Sequence, residues 1–168
     1  AVGARAVAMG ETFTAVADDT LAVSWNPAGL ALTRGWGLST THGAWMEGVN
    51  HEVGAARLSL KRAGGLGLSF NYLGTGSFPS QLETASGGYG GPGGNISASD
   101  MALGLAYGQR LGRWIPGSFF KRTLLGVKAT YLSQRAQSLK AGAASFDLGS
   151  LFELKKKSAY LGLVLLNA

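Results

Sequence analysis

From Arg34 onward apolar residues return at every second position, and the two interleaved sets carry different kinds of side chain. In 66–72 one set is Leu66, Leu68, Phe70 and Tyr72, and the other is Gly67, Ser69 and Asn71. Met101, Leu103, Leu105 and Tyr107 likewise oppose Ala102, Gly104, Ala106 and Gly108. Leu125, Val127, Ala129 and Tyr131 oppose Gly126, Lys128 and Thr130, while Phe146, Leu148, Ser150 and Phe152 oppose Ser145, Asp147 and Gly149. Ala159, Leu161, Leu163 and Leu165 then alternate with Tyr160, Gly162 and Val164. A period of two is the signature of extended strands with two unlike faces. Here the faces differ in a particular way, one large and apolar with Tyr near strand ends, the other small or polar. Lipid-facing and lumen-facing positions of a transmembrane barrel alternate like this. A soluble sandwich would place more Lys, Glu and Thr on its outer face.

Composition narrows the alternatives. Charged residues make up 14% of the chain, against roughly 25% in ordinary soluble domains. No apolar run reaches the roughly 18–20 residues of a membrane helix; the longest, 159–166, has eight. With 27 glycines among 168 residues a disordered Gly-rich chain is an alternative, but four Trp, five Tyr and seven Phe are too many aromatics for disorder. The absence of Cys excludes disulfides and thiolate metal sites. The net charge of +6 is spread over scattered Lys and Arg, and the one compact run, Lys155-Lys156-Lys157, lies between two alternating segments. It reads as a charged turn at a membrane surface, with no nucleic-acid partner implied.

The alternation predicts seven strands, at 34–46, 50–61, 64–74, 100–111, 122–135, 142–154 and 158–167. Their lengths suit tilted crossings of a bilayer. Single-chain bacterial barrels have an even strand number of at least eight, so seven strands imply part of a larger barrel. The lack of an initiating Met and of an export signal reads as a processed or truncated product. The segment 77–100, with Pro79, Pro92 and a Gly-rich run at 87–94, is expected to be a long flexible loop. Ahead of the strands, residues 1–33 form a separate unit: Asp19 suits the cap of a helix starting at Thr20, and Asn26 caps another with Pro27 in first position. Such a segment would sit in the lumen as a plug.

The opening run Gly3-Ala4-Arg5-Ala6-Val7-Ala8-Met9-Gly10, then 13–19 and Trp25-Asn26-Pro27-Ala28-Gly29-Leu30-Ala31, resembles the start of the FadL superfamily of outer-membrane barrels. The PorV/PorQ-like branch is the nearest, on 42–49, Tyr72-Leu73-Gly74-Thr75-Gly76, 97–100, 126–131 and 144–149. Glu11 and the length of the Gly-rich loop depart from the pattern. The resemblance implies an all-β fold, an antiparallel transmembrane β-barrel of about fourteen strands, of which residues 34–168 supply about seven, with a short helical plug at 1–33. It also implies a bacterial outer-membrane location, contact with outer-membrane lipid, and passage of hydrophobic small molecules. The alternative it implies is a scaffold or shuttle in a larger type IX-like secretion complex.

Candidate functional residues follow. Trp25, Asn26 and Pro27 are candidates for a plug or gate, though a helix cap explains Asn26-Pro27 equally well. Lys128 and Asp147 lie on the small-residue face as lumen polar candidates, paired structurally or available to a substrate head group. His42 and His51, near Glu47 and Glu52, match no zinc spacing. Gly88-x-Gly90-x-x-Gly93 matches a dinucleotide fingerprint only in letters, because no strand runs into a helix there. Asn95-Ile96-Ser97 is a glycosylation triplet only in a eukaryotic secretory setting. With no nucleophile–base set, neither enzyme activity nor a cofactor is expected.

Overall fold

The computed structural model describes residues 2–45, 48–155 and 158–167. All seven strands expected from the alternation are present in one antiparallel sheet: β1 (Trp36–Ala44), β2 (Asn50–Ser59), β3 (Gly65–Gly74), β6 (Ala98–Arg110), β7 (Thr123–Ala136), β8 (Leu139–Lys155) and β9 (Ala159–Leu165). They lie in the order β1-β2-β3-β6-β7-β8-β9, each main-sheet strand beside its sequence neighbour, and the sheet is curled into a half-barrel.

The segment expected as a flexible loop differs. Between β3 and β6 it forms a separate two-stranded hairpin, β4 (Phe78–Glu83) and β5 (Tyr89–Ile96). Its turn closes through Thr84, whose N–H donates to the Gly88 carbonyl and whose hydroxyl accepts from the Gly88 N–H. Alternation is absent here because the hairpin is held by backbone pairing with almost no side-chain face to bury. Pro92 is tolerated beside a register shift, where ladder bonds are already interrupted.

Among its described residues the N-terminal segment carries no strand. It contains α1 (Ala4–Ala8), α2 (Ala22–Trp25) and a 3-10 turn at Pro27–Ala31. Asn26 caps that turn as expected, its Oδ1 accepting from the Ala28 N–H at 3.1 Å, with Pro27 in first position. Asp19 accepts from the Leu21 N–H at 2.8 Å, and the helix after it begins at Ala22, not Thr20. The core lies where this segment meets the sheet. Phe13, Ala17, Leu21, Ala22, Val23 and Leu30 pack against Ala55 of β2 and Ala106 of β6, and Ala28 packs against Leu124 and Leu151.

Both core contacts are made by the small-residue face. Among the described residues no layer covers the large apolar face, and its side chains align in rows across the sheet. Trp36, Leu58, Leu66, Tyr107, Val127, Leu148 and Leu165 are successive cross-strand partners from one edge to the other. The next row is Leu38, Ala56, Leu68, Leu105, Ala129 and Phe146. Leu38 is 69% exposed, Leu68 58% and Leu163 66%. In a soluble sheet these would be the first residues to be buried.

Candidate functional site

The site is the seat of the N-terminal segment on the inner face together with the hollow beside it. Four glycines make the seat. Gly65 pairs with Gly108, Gly108 with Gly126 and Gly126 with Gly149, so one row of bare backbone crosses β3, β6, β7 and β8. The 3-10 turn lies along this row. A Cβ at Gly65 would strike the Leu30 carbonyl, one at Gly108 the Pro27 carbonyl, one at Gly126 the Pro27–Ala28 peptide, and one at Gly149 the Asn26 Oδ1. Gly162 on β9 extends the contact, since a Cβ there would lie 2.8 Å from the Ala15 Cα. Backbone on backbone at this distance is possible only without side chains.

Asn26 and Pro27 therefore sit on this seat, and Trp25 precedes them at the end of α2. The Asn26 side chain is wholly buried: its Nδ2 donates to the Thr14 carbonyl at 2.9 Å and to the Ser150 carbonyl of β8 at 3.2 Å. One amide thus ties the N-terminal segment to itself, to its 3-10 turn and to the sheet. Trp25 Nε1 donates to the Val2 carbonyl at 3.0 Å and its ring meets Phe13 edge-on. Farther out, Arg5 Nη1 reaches Asp18 at 2.6 Å and Asp19 at 3.1 Å, and its guanidinium lies 5.0 Å from the Phe13 ring centre. The hydrogen bond with Asp18, then that with Asp19, holds the Arg5 pKa above its ordinary value.

Lys128 and Asp147 are brought together one row beyond the glycines. They are direct cross-strand partners on β7 and β8, with Nζ 3.5 Å from Oδ2 and both side chains nearly buried. Asp147 Oδ1 also accepts from the Asn167 N–H at 2.9 Å, which fastens the chain just after β9 to β8. The Lys128 stem runs over Gly104, away from the plug. Replacing Lys128 with Met is expected to destabilise the protein by about 2 kcal/mol, below the roughly 3–5 kcal/mol for a dry pair because both side chains keep some exposure. Thermal melting of Lys128→Met, Asp147→Leu and the double variant checks this: the double should lose less than the two singles together.

The hollow itself, about 520 Å³, lies on the inner face beside Val2. It is lined by Val2, Leu73, Ala102, Leu132, Ala141 and Ala143, with His51, Asn71, Asp100 and Gln134 at its polar margin. His51 Nε2 and Asn71 Oδ1 are 2.8 Å apart. His42 is on the opposite, outer face, paired with Glu52, so the two histidines do not converge; Glu47 lies outside the described residues. Among the described residues no group of three or more His, Cys, Asp or Glu is placed to hold a metal. The Thr130 hydroxyl, beside Gly104 on the same face, is buried with no hydrogen-bond partner.

The glycine row was the residue set the one-dimensional pattern did not single out. Each glycine was visible as a small-face residue, yet only strand register shows that four of them are neighbours. The usable signal was that each falls toward the strand end nearer the N-terminal segment, Gly65 being the first residue of β3. No family model, curated protein or solved structure matches the chain.

Proposed function

We propose that the protein is wall and plug of an outer-membrane β-barrel of the FadL/PorV type that passes hydrophobic compounds. The observation that carries this reading is the inversion of the sheet: its core is built on the small-residue face by the plug, while row after row of large apolar residues faces outward. From Phe146 to Leu154 the outward positions of β8 span about 26 Å along the strand. At the tilt of membrane strands that is about 20 Å along the axis, close to the roughly 25 Å apolar band of such barrels. A sheet with free edges is not stable in lipid, so this reading requires β1 and β9 to be paired by further strands. The inner hollow falls within the roughly 300–1,000 Å³ of small-molecule sites. Apolar cargo would rest against Leu73, Ala102 and Leu132, with a polar end toward Asp100 and Gln134.

A second reading has its own support. The plug is latched at Asn26 and seated on backbone, which favours a closed lumen and a barrel that serves as scaffold or shuttle for a type IX-like secretion complex. The two readings separate in one experiment. The protein is extracted from membranes, its partition into detergent and heat-dependent gel mobility are recorded, and a fluorescent fatty acid is titrated into it. Detergent partition, a heat shift and saturable, stoichiometric binding support passage. Partition and a heat shift without binding, with a large channel retained through purification, move the assignment to the scaffold. A monomer that stays soluble without detergent overturns both.

A further inference from the structure

The connections at the two ends of the sheet differ in charge. At the plug end the chain turns at 31–35, 60–64 and 111–122 and leaves β8 at Lys155. These stretches carry Arg34, Lys61, Arg62, Arg113, Lys121, Arg122 and Lys155, all exposed, and no Asp or Glu. At the opposite end the described residues of the connections 45–49, 75–97 and 137–138 include Glu83 and no Lys or Arg. Among the described residues, the strand-to-strand turns at the plug end are thus basic or neutral, and those at the far end acidic or neutral.

The basic rim adjoins a belt of exposed aromatics. Trp36, at the start of β1, is 77% exposed, and Trp114, within 111–122, is 71% exposed. Phe119, in the short helix α3 (Ser118–Arg122), is 59% exposed and packs on Phe152 of the outer apolar face at 5.2 Å between ring centres. From the middle of the sheet to its plug end the outer surface passes from aliphatic rows through Trp and Phe to Arg and Lys. That is the order of side chains suited to hydrocarbon, interface and headgroup phosphate.

We propose that the plug-end rim is a docking surface for the phosphates of anionic phospholipids, with Lys61, Arg62, Arg113 and Lys121 as its principal contacts. The proposal rests on the membrane reading above and adds to it which end of the barrel faces an anionic leaflet. A basic residue close to an anionic surface strengthens binding roughly five-fold, about 1 kcal/mol. Several on one rim add up to a strong preference for charged lipid, lost at high salt as the screening length falls from about 10 Å at 0.1 M to about 3 Å at 1 M.

The test is flotation of the detergent-purified protein with vesicles of phosphatidylcholine alone and with vesicles of equal parts phosphatidylcholine and phosphatidylglycerol. The protein is expected to partition into both, at least about ten-fold more strongly into the anionic vesicles at low salt. The variant Lys61→Gln/Arg62→Gln/Arg113→Gln/Lys121→Gln should lose that preference while keeping its partition into phosphatidylcholine and its circular dichroism. Arg135→Gln/Lys140→Gln, at the far end, should keep it. Equal partition of the parent into both vesicles overturns the proposal and leaves the membrane reading standing. A preference that survives in the four-residue variant also overturns it. So does a rim that shows no vesicle preference but binds polyglutamate or duplex DNA with the same dependence on these residues. No partition into either vesicle overturns the membrane reading itself.

Discussion

Replacing Gly126 with valine is expected to lift the Asn26–Leu30 turn from the sheet and to cost at least about 3 kcal/mol, the upper part of the range for overpacking. Gly126 is the most constrained member of the row, because a Cβ there collides with both sides of the Pro27–Ala28 peptide. Neither partner is the movable end of a side chain. The sheet is held by ladders to β6 and β8, and the turn by Asn26, so neither can retreat alone. The measurement is thermal melting in detergent together with limited trypsin cleavage at Arg5, which should accelerate as the plug loosens. Gly94→Val is the comparison: nothing lies near a Cβ at Gly94, and its cost should stay below about 1 kcal/mol. If Gly126→Val melts like the parent and is cut no faster, the glycine row is not the seat of the plug.

Asn26→Asp is the second large effect, expected to destabilise by about 3 kcal/mol at neutral pH. The substitution keeps the shape and keeps an oxygen to accept from the Ala28 N–H. It replaces the donating amide with an oxygen facing the Thr14 and Ser150 carbonyls, two acceptors without a proton between them. Each orphaned buried group costs about 1–3 kcal/mol. Buried among carbonyls, the new carboxyl would have a folded-state pKa above its unfolded value of about 3.9. The folded state then binds more protons than the unfolded one, so the variant should regain stability as pH falls through the raised pKa. Melting temperatures of Asn26→Asp at neutral and mildly acidic pH, compared with the parent at each, check both size and sign. A variant equal to the parent at neutral pH would show that Asn26 is a cap and not a latch.

These two substitutions test one idea from opposite partners. The N-terminal segment does not rest on the curled sheet by shape alone; it is bonded at Asn26 and admitted at Gly126. Lys128 and Asp147 lie on the next row, two residues along their strands, so the ion pair borders the seat and reports on whether it is intact.

Much of this was written in one dimension. The strands and their two faces follow from alternation, because successive side chains on an extended chain point to opposite sides whatever lies around them. The cap at Asn26 followed from residue type, since a short amide side chain reaches the N–H two residues on. The hairpin β4–β5 did not show, because pairing between glycine-rich stretches leaves no trace in side-chain pattern. The helix after Asp19 began two residues late, a difference its local bond to Leu21 tolerates.

What alternation determined was that the faces differ; what only the tertiary structure decided was which face carries the core. That choice is made by residues far apart in sequence, Asn26 against Ser150 and Leu30 against Gly65. Register decided the rest. Cross-strand alignment, which no single strand encodes, set four separate glycines in one row and placed Lys128 opposite Asp147. A slip of one residue would turn each strand's small face outward, and the plug would meet leucines where it now meets bare backbone. The physical reason is that face identity is a local property of each strand, whereas a seat is a property of several strands held in one alignment.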